Sequence, residues 1–328
     1  MERLAVRIWL SCLALLLSVG WPTAASVGVT NEPPTVLLVV GAPGEAEYAT
    51  NFVKQAALWE IVCQRAGAKR ITLGLDAAGA TNDLERMRLT LDAELKDGPS
   101  ELWLVLIGHG TFDGKEAKFN LRGPDLTATN LAQWLSPFHR PVAVVNAASA
   151  SAPFLSALAG TNRVVITATR SGNEQNFTRF GLCFAEAIAD SQGDLDQDGQ
   201  TSLLEAFLSA STRVAELYQT EGRLATEHAL IDDNGDGFGT PADWFRGTRV
   251  TKKSKDGRSL DGFRAHQFHL VRSAEEQQMS PEARTRRDEL ELTVARLREG
   301  KTAGSDDAYY RKLEALLLEL GRLYETGR

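Results

Sequence analysis

Two stretches decide the fold: ELWLVLIGHG, Glu101 to Gly110, and PVAVVNAASAS, Pro141 to Ser151. In the first, the apolar run from Leu102 to Ile107 reads as a buried strand ending in Gly108-His109-Gly110. In the second, Val142 to Val145 reads as another buried strand, ending in Asn146-Ala147-Ala148-Ser149. Continuous apolar runs of this length suit parallel strands covered on both faces, since alternation would mark a half-exposed sheet. In such sheets functional groups collect at the carboxyl ends of neighbouring strands. His109, set between two glycines, is therefore the first candidate functional side chain.

Upstream, Thr35 to Val40 is a third apolar run, and Arg70 to Leu75 a weaker one. Between them Glu45 to Ala66 carries Phe52, Ala56, Trp59 and Cys63 at helical spacing. A second helix spans Thr81 to Leu95, capped by Thr81 or Asn82, with Leu84, Met87, Leu91 and Leu95 on one face. Downstream come a small hairpin near Lys118 to Leu121, helices at Thr129 to Leu135 and Phe154 to Leu158, and a strand from Arg163 to Thr169. A helix from Thr178 to Ala189 follows. Strands alternating with helices predict an α/β domain: a doubly wound, mainly parallel sheet with helices on both faces. Residues 35–190 form that domain, and 191–272 form an extension packed on it around a helix from Leu203 to Glu221. Within 280–328, Ser280-Pro281-Glu282 starts a helix with Leu290, Val294 and Leu297 on one face. Tyr310, Leu313, Leu317, Leu320 and Tyr324 form a short heptad seam, giving an antiparallel helical hairpin and a surface for self-association.

Residues 1–25 read as a secretory signal: Arg3 and Arg7, an apolar run from Ile8 to Trp21, then Thr23 and Ala25 at the cleavage positions. The run is too short to span a bilayer, and no later segment is a membrane candidate. An exported soluble protein, periplasmic or extracellular, is expected. The chain carries a formal charge of −7, and losing the signal makes it one unit more acidic. That argues against a nucleic-acid partner. The mature chain keeps Cys63 and Cys183, read as buried core thiols in preference to a disulfide.

The densest set of ligand-type residues is Asp194-Leu195-Asp196-Gln197-Asp198-Gly199-Gln200-Thr201-Ser202-Leu203-Leu204-Glu205. It fits the EF-hand calcium loop at each specified position. Asp194, Asp196 and Asp198 offer oxygens at positions 1, 3 and 5, and Gly199 permits the sharp turn. The Gln200 carbonyl, Ser202 and the terminal Glu205 complete an oxygen cage for Ca2+. A weaker copy runs from Asp232 to Asp243, with Asp232, Asn234, Asp236, the Phe238 carbonyl and Asp243 in the ligand positions. Asp243 is one carbon shorter than the usual Glu, so an ion site and a plain Asx-rich turn both stand open here.

Over roughly residues 35–189 the chain resembles the legumain-like cysteine peptidases, and more distantly the caspases and gingipains. VVGAPGEAEY is similar to that family's first strand and turn, LIGHG to the strand carrying its catalytic histidine, and VVITATRSG to the strand walling its specificity pocket. VVNAASAS is similar to the strand carrying Glu-Ala-Cys. The resemblance puts Asn146 at the Glu, Ala147 at the Ala and Ala148 at the nucleophilic Cys. Alanine cannot attack a carbonyl, and the family's chemistry needs a thiolate near the histidine. The residue that legumains use to hold an Asn substrate falls on Ala49.

Ser149 and Ser151 are the nearby hydroxyls, and a serine hydrolase pairing Ser149 with His109 is the alternative reading; it needs a close base and a third group to orient it. Glu174 in the following loop is expected to be an exposed carboxylate in preference to a contact for a basic ligand. His139, His228, His266 and His269 show no metal spacing. The cluster Arg249, Lys252, Lys253, Lys255 and Arg258 brackets Asp256-Gly257, read as a hairpin turn between solvated strands. The preferred reading is thus an exported, calcium-binding pseudo-peptidase that acts by binding an unidentified protein or peptide. An active hydrolase and an oligomeric scaffold are the alternatives.

Overall fold

The computed structural model describes residues 32–76, 82–190, 193–252, 259–301 and 306–326. The signal segment, Thr81, and the turn residues Lys253, Lys255, Asp256, Gly257 and Arg258 lie outside them.

In chain order the α/β part comprises β1 (Thr35–Val40), α1 (Ala46–Ala66), β2 (Lys69–Leu73), α2 (Asp83–Ala93) and β3 (Leu102–Ile107). There follow β4 (Gly110–Phe112), β5 (Ala117–Phe119), β6 (Leu126–Thr127), α3 (Ala128–Leu135), β7 (Val142–Asn146), α4 (Ala152–Leu158), β8 (Arg163–Thr167) and α5 (Phe180–Ala189). Then come α6 (Leu203–Thr220), β9 (Leu230–Asp232), β10 (Thr240–Pro241), β11 (Phe245–Arg246), β12 (Arg249–Val250), α7 (Ala274–Gln278), α8 (Pro281–Glu299) and α9 (Asp306–Thr326).

The central sheet has seven strands in the order β10-β9-β8-β7-β3-β1-β2. The five from β2 to β8 are parallel, and β9 and β10 add antiparallel strands at one edge. The sequence reading found the five and missed the added pair. Leu230 to Asp232 is too short and too mixed to show a period, and only pairing with β8 makes it a strand.

Period-two alternation sends Leu38, Val105 and Val145 to one face, against Phe52 and Trp59 of α1, Phe184 of α5 and Phe207 of α6. It sends Leu37, Leu104 and Val144 to the other, against Met87, Leu131 and Phe154. Each such side chain contributes roughly 1.5–3 kcal/mol by leaving water, so a sheet covered on both sides is the arrangement these runs require. Cys63 and Cys183 are free and buried, and burial pushes both thiols up to about 11, which makes them inert.

Helix ends follow local chemistry. The Asn82 side chain accepts from Glu85 N–H, settling the cap of α2, and the Ser280 hydroxyl accepts from Ala283 N–H at α8. Ser202 and Glu205 form a reciprocal capping box at α6. The start of α5 has no local cap. Glu227, 47 residues beyond Phe180, accepts from the N–H groups of Arg179 and Phe180 instead.

Two expectations are corrected. Leu95 is 51% exposed, because the chain leaves α2 at Glu94, whose carboxylate takes the Thr35 hydroxyl and Lys69. On α9, Leu313, Leu316, Leu320 and Leu323 meet Leu290 and Val294 of α8, while Tyr310, Leu317 and Tyr324 face outward. Both stripes have heptad-like spacing, and packing against α8 selects one. Just before the basic cluster, β11 pairs with β12 through a turn at Gly247; the expected turn at Asp256-Gly257 lies outside the described residues.

Candidate functional site

Register places the carboxyl ends of the central strands side by side: Val40 pairs with Ile107, Leu106 with Asn146, and Asn146 with Thr167. Here two backbone segments approach closely. A Cβ at Gly110 would lie 2.2 Å from the Ser149 carbonyl oxygen, so the loop after β3 and the turn after β7 touch backbone to backbone.

His109 is half-buried. Its ring meets Tyr48 edge-on at 4.7 Å, Phe52 at 5.3 Å and Phe177 at 5.9 Å between centroids. This apolar surround disfavours the imidazolium and lowers the pKa, with a hydrogen bond to the Pro43 carbonyl opposing. Ala148 is buried, and its N–H donates to Asn146 Oδ1 at 3.1 Å. The Ser149 hydroxyl donates to the Gly110 carbonyl at 3.0 Å and accepts from Gly110 N–H at 3.0 Å. Ser151 is likewise engaged, with the Thr169 hydroxyl and N–H. Among the described residues no hydrogen bond joins His109 to Ser149 or to a carboxylate. The structure brings His109 and Ser149 to the same strand ends without making a nucleophile–base pair.

Glu174 is not the exposed carboxylate the sequence suggested. Its side chain is 14% exposed, pairs with His228 Nδ1 at 2.6 Å and with Arg170 Nε at 3.3 Å, and its carbonyl receives Ala150 N–H. Turn, loop and His228 thus form one polar unit beside the strand ends. His228 lies 54 residues from Glu174, and no local pattern marks it.

A second centre lies at the acidic loop before α6. Oxygens of Asp194, Asp196 and Asp198 all fall within 4.8 Å of one another. Asp194 accepts from Asp198 N–H at 3.1 Å and Gly199 N–H at 2.9 Å, and Gly199 sits at φ 86°, where a side chain would be strained. Glu205 is fully buried; it accepts from the N–H groups of Leu195, Asp196 and Ser202 and from the Ser202 hydroxyl. Gln200 Oε1 accepts from Ser273 N–H, tying the loop to the start of α7. Burial, then Glu205 and Asp198, raises the pKa of Asp196, and His266 Nε2 stands 3.3 Å from its carboxylate. Three clustered carboxylates facing one imidazole are a hard-oxygen donor set, of the kind that suits Ca2+. The donors fit such an ion through Asp194, Asp196 and Asp198. Glu205 would have to exchange N–H partners for it.

In the second loop Asp232 accepts from the N–H groups of Gly235 and Gly237, and Asn234 from Asp236 N–H. Asp236 accepts from Phe238 N–H. Asp243, 69% exposed, turns away to Lys252. In its place Asp261 lies beneath the loop, accepting from Asp233 N–H at 3.0 Å, Asn234 N–H at 3.3 Å and the Thr240 hydroxyl. Burial first, then the Asp233 carboxylate, pushes Asp261 up to about 8. A folded-state value above the unfolded one means that this group's stabilising contribution is complete below about pH 4 and declines as pH rises toward 8. In chelator, Asp261→Asn is expected to flatten the stability profile between about pH 5 and 8 and to raise the urea midpoint at the upper end. A variant profile parallel to wild type would contradict this.

Fold and site together define a mainly parallel α/β protein with His109, Ala148 and Ser149 at neighbouring strand ends and an acidic turn downstream. No family model matches the chain, and no curated protein matches it. Among solved structures it is similar to caspase-1 from Spodoptera frugiperda, at 10% identity over 62% of this chain and 86% of that one, with a TM-score of 0.39. It is also similar to the Drosophila initiator caspase Dronc, at 12% identity over 72% and 96%, with a TM-score of 0.40. A protein from Geobacter sulfurreducens matches at 13% identity over 61% and 93%, with a TM-score of 0.42. The α/β assignment stands on the strand order itself.

Proposed function

We propose that the chain is an exported calcium-binding protein whose legumain- and caspase-like domain binds a protein or peptide and does not cleave it. The observation that carries this reading is the pairing of Ala148, where the resemblance puts the nucleophile, with Ser149, whose hydroxyl is committed to the Gly110 backbone. A hydroxyl holding two backbone hydrogen bonds, and hydrogen-bonded to no base among the described residues, is poor at attacking a carbonyl. His109 then serves as a packed aromatic wall with Tyr48 and Phe177. The outward stripe of Tyr310, Leu317 and Tyr324 offers an apolar face to a partner or to a second copy of the chain.

When bound, the ion would supply positive charge that offsets the repulsion among Asp194, Asp196 and Asp198. In this reading the loop ties α5, α6 and the segment before α7 together, so the metal acts on stability and not on bond cleavage. Binding without cleavage is tested with a serine-directed fluorophosphonate probe. No labelling is expected in wild type; labelling that disappears in Ser149→Ala would establish the hydrolase alternative. Calcium titration of wild type against Asp194→Ala tests the metal half separately.

A further inference from the structure

A cavity of about 410 Å³ opens at the amino end of β8, the opposite end of the sheet from His109. This is near the lower end of the range of about 300–1,000 Å³ seen for small-molecule sites. Its walls come from the loop before β8, the second acidic loop, the segment from Ser259 to Arg264, and α8. On α8, Leu292, Arg296 and Glu299 follow the spacing of one helix face, while Leu290 and Val294 face α9.

The lining has both signs of charge and an apolar side. Arg264 uses one Nη1 hydrogen bond to Asn162 Oδ1 at 3.1 Å. Burial and the nearby Arg296 both disfavour its charged form, and Asp233 favours it. The Asp233 carboxylate is already held by backbone N–H groups, Ala265 among them. The Arg296 guanidinium makes no hydrogen bond or ion pair among the described residues, so its donors are available. Glu299 accepts a hydrogen bond from Leu260 N–H. Leu260, Phe263 and Leu292 supply the apolar side.

A simple anion would meet Glu299 and Asp236 here, and a simple cation would meet the two arginines. A ligand bearing both charges close together satisfies both sets. Arg296 and Glu299 are three residues apart on a helix, roughly 4.5 Å along its axis, a spacing that suits two charges borne on one carbon.

We propose that this cavity binds an α-amino acid with an apolar side chain, its carboxylate between Arg264 and Arg296, its ammonium at Glu299, and its side chain against Phe263 and Leu292. Guanidinium groups suit carboxylates because their donors form a planar fork. The inference is independent of calcium binding and of the state of the strand-end site.

The test is calorimetric titration of the full chain, in calcium and in chelator, with L-phenylalanine and L-leucine. N-acetyl-L-phenylalanine and L-phenylalanine amide serve as singly charged controls. At least one free amino acid is expected to bind, with each blocked form weaker by about tenfold or more. Arg296→Ala, which removes an exposed side chain with no hydrogen-bond or ion-pair partner among the described residues, is expected to weaken binding by a similar factor while leaving the circular dichroism spectrum unchanged. Glu299→Gln should weaken the free amino acid more than the N-acetyl form. Three results would each overturn the proposal: no binding of either amino acid, equal binding of the N-acetyl form, or wild-type affinity in Arg296→Ala.

Discussion

Calcium at about a hundredfold excess over its dissociation constant is expected to stabilise the wild type by about 2.7 kcal/mol, through preferential binding to the folded state. For a chain of this size that corresponds to a rise in melting temperature of about 5 °C. The physical source is the cluster of Asp194, Asp196 and Asp198, whose oxygens lie within 4.8 Å of one another, with His266 Nε2 3.3 Å from the Asp196 carboxylate. Without a cation, like charges at that spacing repel; the raised pKa of Asp196 comes first from burial and then from the Glu205 and Asp198 carboxylates. Asp194→Ala should lose the calcium response. Because it also removes acceptors for Asp198 and Gly199 N–H, Asp196→Asn provides a milder companion variant. Asp196→Asn should be at least as stable as wild type in chelator and gain less from calcium. An equal calcium shift in all three proteins would remove the metal from this loop.

Gly110→Ala is expected to destabilise the protein by roughly 3 kcal/mol or more, among the larger effects of a single substitution. The new Cβ would sit 2.2 Å from the Ser149 carbonyl oxygen and 3.1 Å from that of Lys118. Both obstacles are backbone atoms, so no side chain can swing aside. The same shift would break the reciprocal pair between Gly110 and the Ser149 hydroxyl. Gly114 provides the control: it adopts φ 93° but has nothing within 4 Å of an added Cβ. Gly114→Ala should therefore cost only about 1–3 kcal/mol, from backbone strain alone. Urea midpoints of the two variants measure the contrast. A Gly110→Ala midpoint near wild type would mean that the β3 and β7 ends are not in contact, and the account of Ser149 would fail with it.

Much of the fold was legible because its signals are local. The runs at Thr35, Leu102, Val142 and Arg163 each became a strand, since six or so apolar residues between turns can be buried only as one. That position 148 is an alanine is a fact of identity that no packing could alter. The twelve residues from Asp194 to Glu205 likewise carry their turn with them, because Gly199 and the Asx-type hydrogen bonds act within the loop.

What stayed hidden depends on partners far along the chain. Glu174 meets His228, Asp196 meets His266, and Glu227 caps α5, each across 47 to 70 residues. Nothing in the neighbourhood of any one of these residues encodes the other. Two equally good stripes on α9 were separated only by Leu290 and Val294, and β9 became a strand only beside β8. Periodicity and residue type, which act over a few bonds, therefore determined the strands, the alanine at position 148 and the acidic turn. Which charges meet, which apolar stripe is covered and where a cavity opens were decided by the close packing of distant segments, which no short stretch contains.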